Sequence, residues 1–385
     1  MIYADYNGSA PLLPSVREHL KRRLDSELFA NPGAIHSMGL KVMNGIEKCR
    51  GIIAAAVGCF PDQLYFNSGS SEGVTTIIHS VLANSPSYKK VIITSPIEHV
   101  VIHTALDYFS ARHGFMIKKV QMDVDGVISL ESLKRLLSEY KGKIALATIM
   151  AANNETGVMQ PYAEIAKLCR DSGVEFFSDT TQLIGKGDFD FGKSGMDYAA
   201  CSGHKLGALT GTGFIMIKEP TKFQPLIFGK SQERGLRGGT QHYLGIETVA
   251  VAFQDFMENK HKLNHLREAR NVFEKQMKSE FPEVTIIGGK SDRLAGTTLI
   301  GYPGIHGQAV QIELESSDIF VTTSAACSDN QPETSVVLKS MGVDDQLGRS
   351  VIRISLSYSH GEREYSALAL ALKNAYNKLR KIHSF

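Results

Sequence analysis

The stretch Cys201-Ser202-Gly203-His204-Lys205-Leu206-Gly207 decides the fold prediction for the whole chain. It follows Asp197-Tyr198-Ala199-Ala200, a short run typical of a strand, and leads into a glycine-rich segment that reaches Gly213. In open α/β sheets, ligands bind at the turns that follow the carboxyl ends of strands. A lysine buried at such a turn is costly unless it is paired or chemically used. The stretch therefore predicts a reactive lysine at a sheet edge.

The chemical use that fits Lys205 is a covalent bond to an aldehyde cofactor, pyridoxal phosphate (PLP). The turn Ser202-Gly203-His204 offers hydroxyl, backbone N–H and imidazole donors that suit a phosphate. Upstream, residues 174–179 have the pattern of a strand that ends in a carboxylate, Asp179. A PLP enzyme needs an acid at the pyridine nitrogen, because the protonated ring draws electrons from the substrate. A solvated loop lysine is the alternative, and the pairing with Asp179 favours the cofactor.

Length and composition exclude several classes of protein. The chain has 385 residues, of which 43% are hydrophobic and 21% charged, as in a globular protein with a substantial core. A net charge of +2 gives no electrostatic reason for direct binding of nucleic acid. The chain begins with a strand pattern rather than a signal peptide, and no apolar run approaches membrane-spanning length. We therefore expect a soluble, cytoplasmic protein with no membrane association.

The five cysteines indicate neither a disulfide framework nor a zinc site, because their number is odd and no pair has C-x-x-C spacing. Four of them lie in apolar or helical contexts, where a cysteine is normally a small buried hydrophobe. These are Cys49, Cys59, Cys169 and Cys201. Cys327 differs, because it lies in a polar, turn-prone stretch, residues 322–330. We expect its thiol to be mobile and accessible.

Strand and helix patterns alternate between about residues 62 and 217, with short links. This alternation is typical of a parallel sheet with helices on both faces. From about residue 260 the pattern changes to a long charged helix, short strands and a final amphipathic helix. The sequence therefore predicts an α/β fold with a large domain at 15–259 and a smaller α+β domain formed by 1–14 and 260–385.

Two further loops carry polar residues that could contact a ligand. Residues 67–73 join a strand pattern to a helix pattern, so that backbone N–H groups and the hydroxyls of Ser70 and Ser71 could meet a phosphate. Alone, such a loop is more often only a helix N-cap. His99 and His103 are four residues apart, but without an H-E-x-x-H order or a third ligand we expect no metal. His99 is either structural or stacks on a flat cofactor.

Taken together and in this order, these motifs resemble the cysteine desulfurases of the NifS/IscS kind, in the class V aminotransferase group of fold-type I PLP enzymes. The resemblance runs from Tyr3-Ala4-Asp5-Tyr6 to Ile352-Arg353-Ile354-Ser355-Leu356. It implies a mostly parallel seven-stranded sheet in the large domain and a homodimer with shared sites. It also implies that L-cysteine becomes L-alanine, while the sulfur passes to Cys327 as a persulfide and then to an acceptor, such as an iron–sulfur scaffold protein.

The resemblance implies a role for each matching residue. Lys205 would be the Schiff-base lysine, Asp179 the partner of the pyridine nitrogen, and Cys327 the nucleophile, which acts as a thiolate. Gln182 and Asn154 would contact the phenolic oxygen, and His99 would stack on the ring and serve in proton transfer. The phosphate would be bound by Ser70, Ser71, Ser202 and His204, and the partner subunit's phosphate by Thr240. The substrate carboxylate would be bound by Arg353, Asn31 and Asn154.

Some stretches depart from the family pattern. The family has Gly-Ser-Ala-Cys before the nucleophile, where this chain has Ser324-Ala325-Ala326-Cys327, and residues 7–11 replace an Ala-Thr-Thr-Pro run. These differences leave the acceptor and the substrate more open than the reaction type. One alternative is a related PLP enzyme, such as a selenocysteine lyase or an aminotransferase. Another is a non-catalytic dimeric scaffold for sulfur-transfer partners, which the joint presence of Lys205, Asp179 and Arg353 disfavours.

Overall fold

The computed structural model describes residues 1–26, 29–323 and 333–382, so Cys327 lies outside the described residues. The helices found there are α1 (Pro14–Leu24), α2 (Ser37–Val57), α3 (Ser70–Asn84), α4 (Val100–His113), α5 (Leu130–Glu139), α6 (Tyr162–Asp171), α7 (Phe191–Ser194), α8 (Tyr243–Asn259), α9 (Leu263–Glu280), α10 (Gly307–Glu315), α11 (Val336–Ser340), α12 (Asp345–Gly348) and α13 (Glu362–Ile382). The strands are β1 (Ile2–Tyr3), β2 (Leu64–Asn67), β3 (Val91–Thr94), β4 (Met116–Lys119), β5 (Ile144–Thr148), β6 (Phe176–Asp179), β7 (Tyr198–Ser202), β8 (Gly213–Ile217), β9 (Thr285–Ile287), β10 (Thr297–Gly301), β11 (Ile319–Phe320) and β12 (Val351–Ser355).

Seven strands form the main sheet in the order β2-β8-β7-β6-β5-β3-β4. Strands β3 to β7 run parallel to their neighbours, whereas β8 pairs antiparallel with both β7 and β2. Every residue of β5 is buried, because helices cover both faces of a parallel sheet. The α/β prediction with a mostly parallel seven-stranded sheet is confirmed.

Apolar side chains of the main sheet belong to two separate clusters, one on each face of the sheet. Consecutive strand residues point to opposite faces, and Phe176 and Phe177 of β6 show this clearly. Phe176 packs with Ile46 of α2 and Ile165 of α6, whereas Phe177 packs in the cluster that includes Leu106 of α4. Burial of a large apolar side chain contributes about 1.5–3 kcal/mol, so these clusters fix the helices on the sheet.

A second layer is built from the antiparallel sheet β12-β10-β9, with α9 and α13 packed against it. Its apolar cluster, which includes Phe273 and Leu368, is separate from those of the main sheet. Strand β1 pairs with β11 beside this layer. We propose the division into a large domain, 15–259, and a small domain, 1–14 with 260–385, and these separate clusters support it.

Strand β4 and helix α5, which lie between residues 110 and 143, were not predicted from the sequence. Strand β4 is the sequence Met-Ile-Lys-Lys at an edge of the main sheet. Lysines there obscure the apolar pattern of a strand, yet they protect an edge from pairing with another chain. Within the described ranges, no helix combines the length and the apolar character needed to cross a membrane.

Candidate active site

The carboxyl ends of β6 and β7 lie side by side, and they place the two residues on which the sequence argument depends. Asp179 ends β6 and pairs in register with Ala200 of β7. Strand β7 ends at Ser202, and a single 3₁₀ turn, Gly203–Leu206, carries Lys205. Gly207 closes that turn with a φ of 81°, a left-handed conformation that costs glycine little. The predicted acid and lysine are therefore on adjacent strand ends.

Lys205 is half-buried, and its Nζ donates to backbone carbonyl oxygens of the N-terminal segment, which we define as residues 2–9. One acceptor is Asn7 O, at 2.8 Å, and the other is Gly8 O. Asn7 O also accepts from Gln182 Nε2 at 3.0 Å. The N-terminal segment thus joins Lys205 to Gln182, which the resemblance places at the cofactor's phenolic oxygen.

Asp179 is buried, and its Oδ1 accepts from the backbone N–H of Thr181 at 3.0 Å. Among the residues that the structure describes, no lysine, arginine or histidine forms an ion pair with it. A buried carboxylate without a cation is costly, since burial removes the hydration of its charge. The position therefore suits a protonated ring nitrogen, the group that PLP presents.

The phosphate end of the cofactor also finds a matching surface. Helix α3 starts at Ser70, and its N-cap, Gly69, supplies no side-chain cap, so the first N–H groups of the helix are available to an anion. A Cβ atom built on Gly69 would lie 3.3 Å from Ser202 Oγ, a tight contact, so the loop passes close to the end of β7. Helix N-termini bind phosphate through such N–H groups and the helix dipole. The described residues therefore fit PLP at both of its polar ends.

His204 contacts the N-terminal segment in this structure, with its Nδ1 3.1 Å from Ser9 Oγ. Burial lowers the pKa of His204 to about 4, and the charges of Lys205 and Lys186 add to this effect. The imidazole is therefore neutral at neutral pH.

Besides Ser71, three of the residues implied by the resemblance are exposed. His99 is the N-cap of α4, where its Nδ1 accepts from Val101 N at 3.3 Å. Asn31 Oδ1 accepts from Gly33 N at 2.8 Å, and no hydrogen bond among the described residues joins Asn31 to Arg353. Thr240 is also exposed. The roles of these three residues stay predictions.

The loop with Arg237 and Thr240 is anchored by a buried ion pair between Arg50 and Glu233. Arg50 Nη1 and Nη2 lie 2.8 and 2.9 Å from the two carboxylate oxygens, and the side chains are only 2% and 1% exposed. Glu233 has a φ of 44°, a left-handed conformation that is unfavourable for a non-glycine residue. Arg237 forms its own ion pair with Glu72 in the first turn of α3, at 2.9 Å. The loop is thus tied to the phosphate end of the site.

Arg353 lies on β12 and reaches across to the main sheet. Its Nη1 donates to Asn154 O at 2.9 Å, and its Nη2 pairs with Asp5 Oδ1 at 2.7 Å. Its Nε is buried without a hydrogen-bond partner in the part of the chain that the structure describes. The structure thus brings together two residues that the resemblance assigns to the substrate carboxylate, Arg353 and Asn154, and adds Asp5.

Lys186 is a residue of this site that the sequence argument missed. Its Nζ donates to Gln182 Oε1 at 2.6 Å, Asn7 Oδ1 at 2.9 Å and Tyr6 O at 3.3 Å. Burial lowers the pKa of Lys186, and repulsion from Lys205 and Arg353 lowers it further. By accepting from Lys186, the Gln182 oxygen is fixed, so the amide N–H groups face the other way. A lysine two residues after the apolar pair 183–184 was the available signal.

Glu98 is a second missed residue, directly before His99. Its Oε1 accepts from Ser95 Oγ and, at 2.9 Å, from Met150 N, whereas its buried Oε2 has no partner among the described residues. Burial raises the pKa of Glu98 to about 8, and the charge of Asp179 contributes. At neutral pH the Glu98 carboxyl is therefore mostly protonated.

Replacing Glu98 by glutamine is expected to flatten the pH dependence of stability. The folded pKa of about 8 exceeds the ordinary 4.5, so between these values only the unfolded state releases the proton. The free energy of unfolding of the wild type therefore falls as pH rises through this window, by about 4 kcal/mol from this group. Urea unfolding at pH 5 to 8 measures it. Equal slopes in wild type and E98Q would contradict the assignment, and the exposed Glu131→Gln serves as control.

The chain is similar to known proteins over nearly its whole length. The Aminotransferase class-V family matches residues 2–368. The cysteine desulfurase IscS of Rickettsia bellii is 32% identical over 99% of this chain and 92% of that protein, and a cysteine desulfurase of Klebsiella pneumoniae is 30% identical over 100% and 95%. A solved structure of a NifS-like protein superposes with a TM-score of 0.88 at 31% identity, covering 98% of this chain and 99% of that one.

A mostly parallel seven-stranded sheet, with a lysine on the turn after β7 and an acid at the end of β6, defines a fold-type I PLP-dependent enzyme. The chain belongs to the class V aminotransferase family. Enzymes of this family depend on PLP, which confirms the cofactor expected from Lys205 and Asp179. The resemblance to the cysteine desulfurases is also confirmed.

Proposed function

We propose that the protein is a PLP-dependent cysteine desulfurase, which converts L-cysteine to L-alanine and carries the sulfur on Cys327 as a persulfide. The observation that carries the proposal is that Asp179 and Lys205 lie at adjacent strand ends of the main sheet, while Arg353 of β12 reaches Asn154 in the loop after β5. The full-length similarity to proteins named cysteine desulfurase supports the choice of substrate.

The cofactor would be held at its phosphate, its ring nitrogen and its aldehyde carbon. The N-terminus of α3, with Ser70, Ser71 and Ser202, would bind the phosphate, while Asp179 would keep a proton on the ring nitrogen. When bound to Lys205, PLP supplies an electron sink for the substrate's α-carbon. Gln182 donates toward the phenolic oxygen from an amide already fixed by Lys186.

The chain's own side chains orient the substrate and move its protons. Arg353 binds the carboxylate of L-cysteine, because a guanidinium matches a planar carboxylate bidentately. Lys205 Nζ takes the proton from the substrate Cα. The Cys327 thiolate then attacks the substrate Sγ, so that an S–S bond forms and the Cβ–Sγ bond breaks. The electron pair of the broken bond stays on Cβ, which takes up a proton, and Lys205 returns a proton to Cα to give alanine.

We propose that the enzyme is a homodimer in which Thr240 reaches the phosphate of the other subunit. The exposure of Thr240, on a loop held by Arg50 and Glu233, supports this role. Apolar side chains near Asn31 are exposed as well, and a second copy would cover them; these are Phe29, Ile35, Met38 and Leu40. Contiguous exposed apolar surface commonly marks a protein interface.

The proposed acceptor of the sulfur is a protein, such as a scaffold for iron–sulfur assembly, and relatives named IscS support this choice. The proposed location is the cytoplasm. Free thiols suit a reducing compartment, and the four described cysteines are all unpaired. Other acceptors, such as an RNA or a cofactor that takes up sulfur, are compatible with the same persulfide chemistry.

The proposal is tested by adding PLP to the purified protein, recording the visible spectrum, and assaying alanine and sulfide from L-cysteine with a thiol reductant. We expect a cofactor band and both products, and we expect Cys327→Ser to lose the products while keeping the band. Cys59→Ser is the matched control and should change neither. A coloured protein that makes no alanine would point to the related lyase or aminotransferase. A protein that binds no PLP would leave only the scaffold.

A further inference from the structure

The guanidinium of Arg353 is only partly satisfied on the edge that best binds carboxylates. Nε and Nη2 share one edge of a guanidinium and together hold both oxygens of a carboxylate. In this structure Nη2 pairs with Asp5 Oδ1 at 2.7 Å, while Nε is buried without a partner within the described residues. Asp5 therefore occupies this edge through a single oxygen.

Asp5 is held next to Arg353 by the backbone of its own segment. Asp5 forms a parallel bridge with Ser355 of β12, and Ser355 N donates to Ala4 O at 2.7 Å. A Cβ atom on Gly8 would collide with Asp5 Oδ2, so the turn after Asp5 closes tightly over the carboxylate. The side chain of Asp5 is nevertheless 25% exposed, so a ligand can approach its ion pair with Arg353. A ligand thus meets a carboxylate already placed on the arginine.

A second carboxyl group near Arg353 is a weaker competitor. Glu155 Oε2 accepts from Ser335 Oγ at 2.6 Å, and burial raises the pKa of Glu155 to about 7. Part of the Glu155 population is therefore neutral at neutral pH. No hydrogen bond among the described residues links it to the guanidinium. Asp5 is thus the group that an incoming carboxylate must displace.

We propose that Asp5 is an internal competitor for the substrate carboxylate at Arg353 and so sets the affinity of the site. This inference rests on the proposed function, in which Arg353 binds that carboxylate. A bound substrate carboxylate accepts a new hydrogen bond from Nε, but it must displace the Asp5 carboxylate from Nη2. Two carboxylates cannot share this edge without repulsion, because like charges at hydrogen-bond distance oppose each other strongly.

The test is direct binding of 3-mercaptopropionate, which has the carboxylate and thiol of cysteine but no amine to condense with the cofactor. Calorimetric titration of the PLP-loaded enzyme gives the dissociation constant. We expect Asp5→Asn to bind the probe about tenfold more tightly, because a neutral amide oxygen holds Nη2 less strongly than a carboxylate does. The KM for L-cysteine should fall with kcat unchanged, which a merely structural defect would not produce.

Matched variants separate this inference from the proposed function. The exposed Asp171→Asn should leave binding unchanged, and Asp5→Ser provides a second neutral side chain if Asp5→Asn folds poorly. In the Arg353→Ala background, Asp5→Asn should no longer tighten binding, since the contested edge is gone. Unchanged or weaker binding in folded Asp5→Asn and Asp5→Ser would overturn the inference alone. If Arg353→Ala did not weaken binding, the role of Arg353 in the proposed function would be wrong.

Discussion

Replacement of Lys205 by alanine is expected to abolish both the visible cofactor band and the formation of alanine from L-cysteine. Lys205 lies on the turn after β7, one strand away from Asp179, and its Nζ is held by Asn7 O and Gly8 O. The neighbouring Lys186 is held elsewhere, by Gln182, Asn7 and Tyr6. Loss of a positioned acid–base group alone reduces rates by about 10²–10⁴-fold.

The measurement is a spectrum at matched PLP concentration, with alanine determined after fixed times. Lys193→Ala is the control, because Lys193 is 86% exposed and pairs only with Asp190 at the surface. This control should keep the band and the wild-type rate. A Lys205→Ala protein that retained a covalent cofactor band after borohydride reduction would show that another lysine holds the cofactor. Retained turnover would exclude the mechanism proposed for Lys205.

Replacement of Arg50 by methionine is expected to destabilise the protein by about 3–5 kcal/mol, because it leaves the Glu233 carboxylate buried and unpaired. Glu233 also accepts from Phe66 N at 2.8 Å, so the carboxylate cannot move to water without breaking the backbone contact. Arg50 lies over the Phe66 ring at 4.6 Å, so packing is lost as well. The loop with Arg237 and Thr240 should loosen, and PLP affinity should fall with it.

Urea unfolding of the cofactor-free protein measures this stability change without any contribution from PLP binding. The double variant Arg50→Met, Glu233→Gln removes the unpaired charge and should recover part of the loss. Lys134→Met is the control, since its ion pair with Glu131 is exposed and worth at most about 1 kcal/mol. A loss for Arg50→Met no larger than that of the control would show that the buried pair does not anchor the loop.

The main sheet could be predicted because its strands are short apolar runs separated by helical patterns. The acid and the lysine could be predicted for the same reason, since Asp179 ends one such run and Lys205 lies on the short turn after another. Strand β4 was not predicted, because two of its four residues are lysines at a sheet edge. Its signal depends on its place in the sheet, which no local pattern encodes.

The network around Lys205 could not be predicted, because its members are far apart in the chain. Asp5 and Arg353 are 348 positions apart, Asn7 and Thr297 are 290 apart, and Asn7 and Lys186 are 179 apart. Hydrophobic periodicity reports only neighbours within a turn or two of the backbone. The Gly/Ser-rich pattern around Asn7 predicts only a turn. Nothing in that pattern indicates that Asn7 is buried and accepts hydrogen bonds from two lysines.

The position of Asn7 has a consequence for biosynthesis. Asn7 N donates to Ser355 Oγ at 2.9 Å, and its side chain bonds Thr297 and Lys186. The ribosome delivers residues 2–9 well before any of these partners, and Ser355 comes last. The main sheet can form while the chain is still growing, whereas the cradle of Lys205 must wait until β12 has emerged. We therefore expect nascent chains that stop before β12 to have a folded sheet but no capacity to capture PLP.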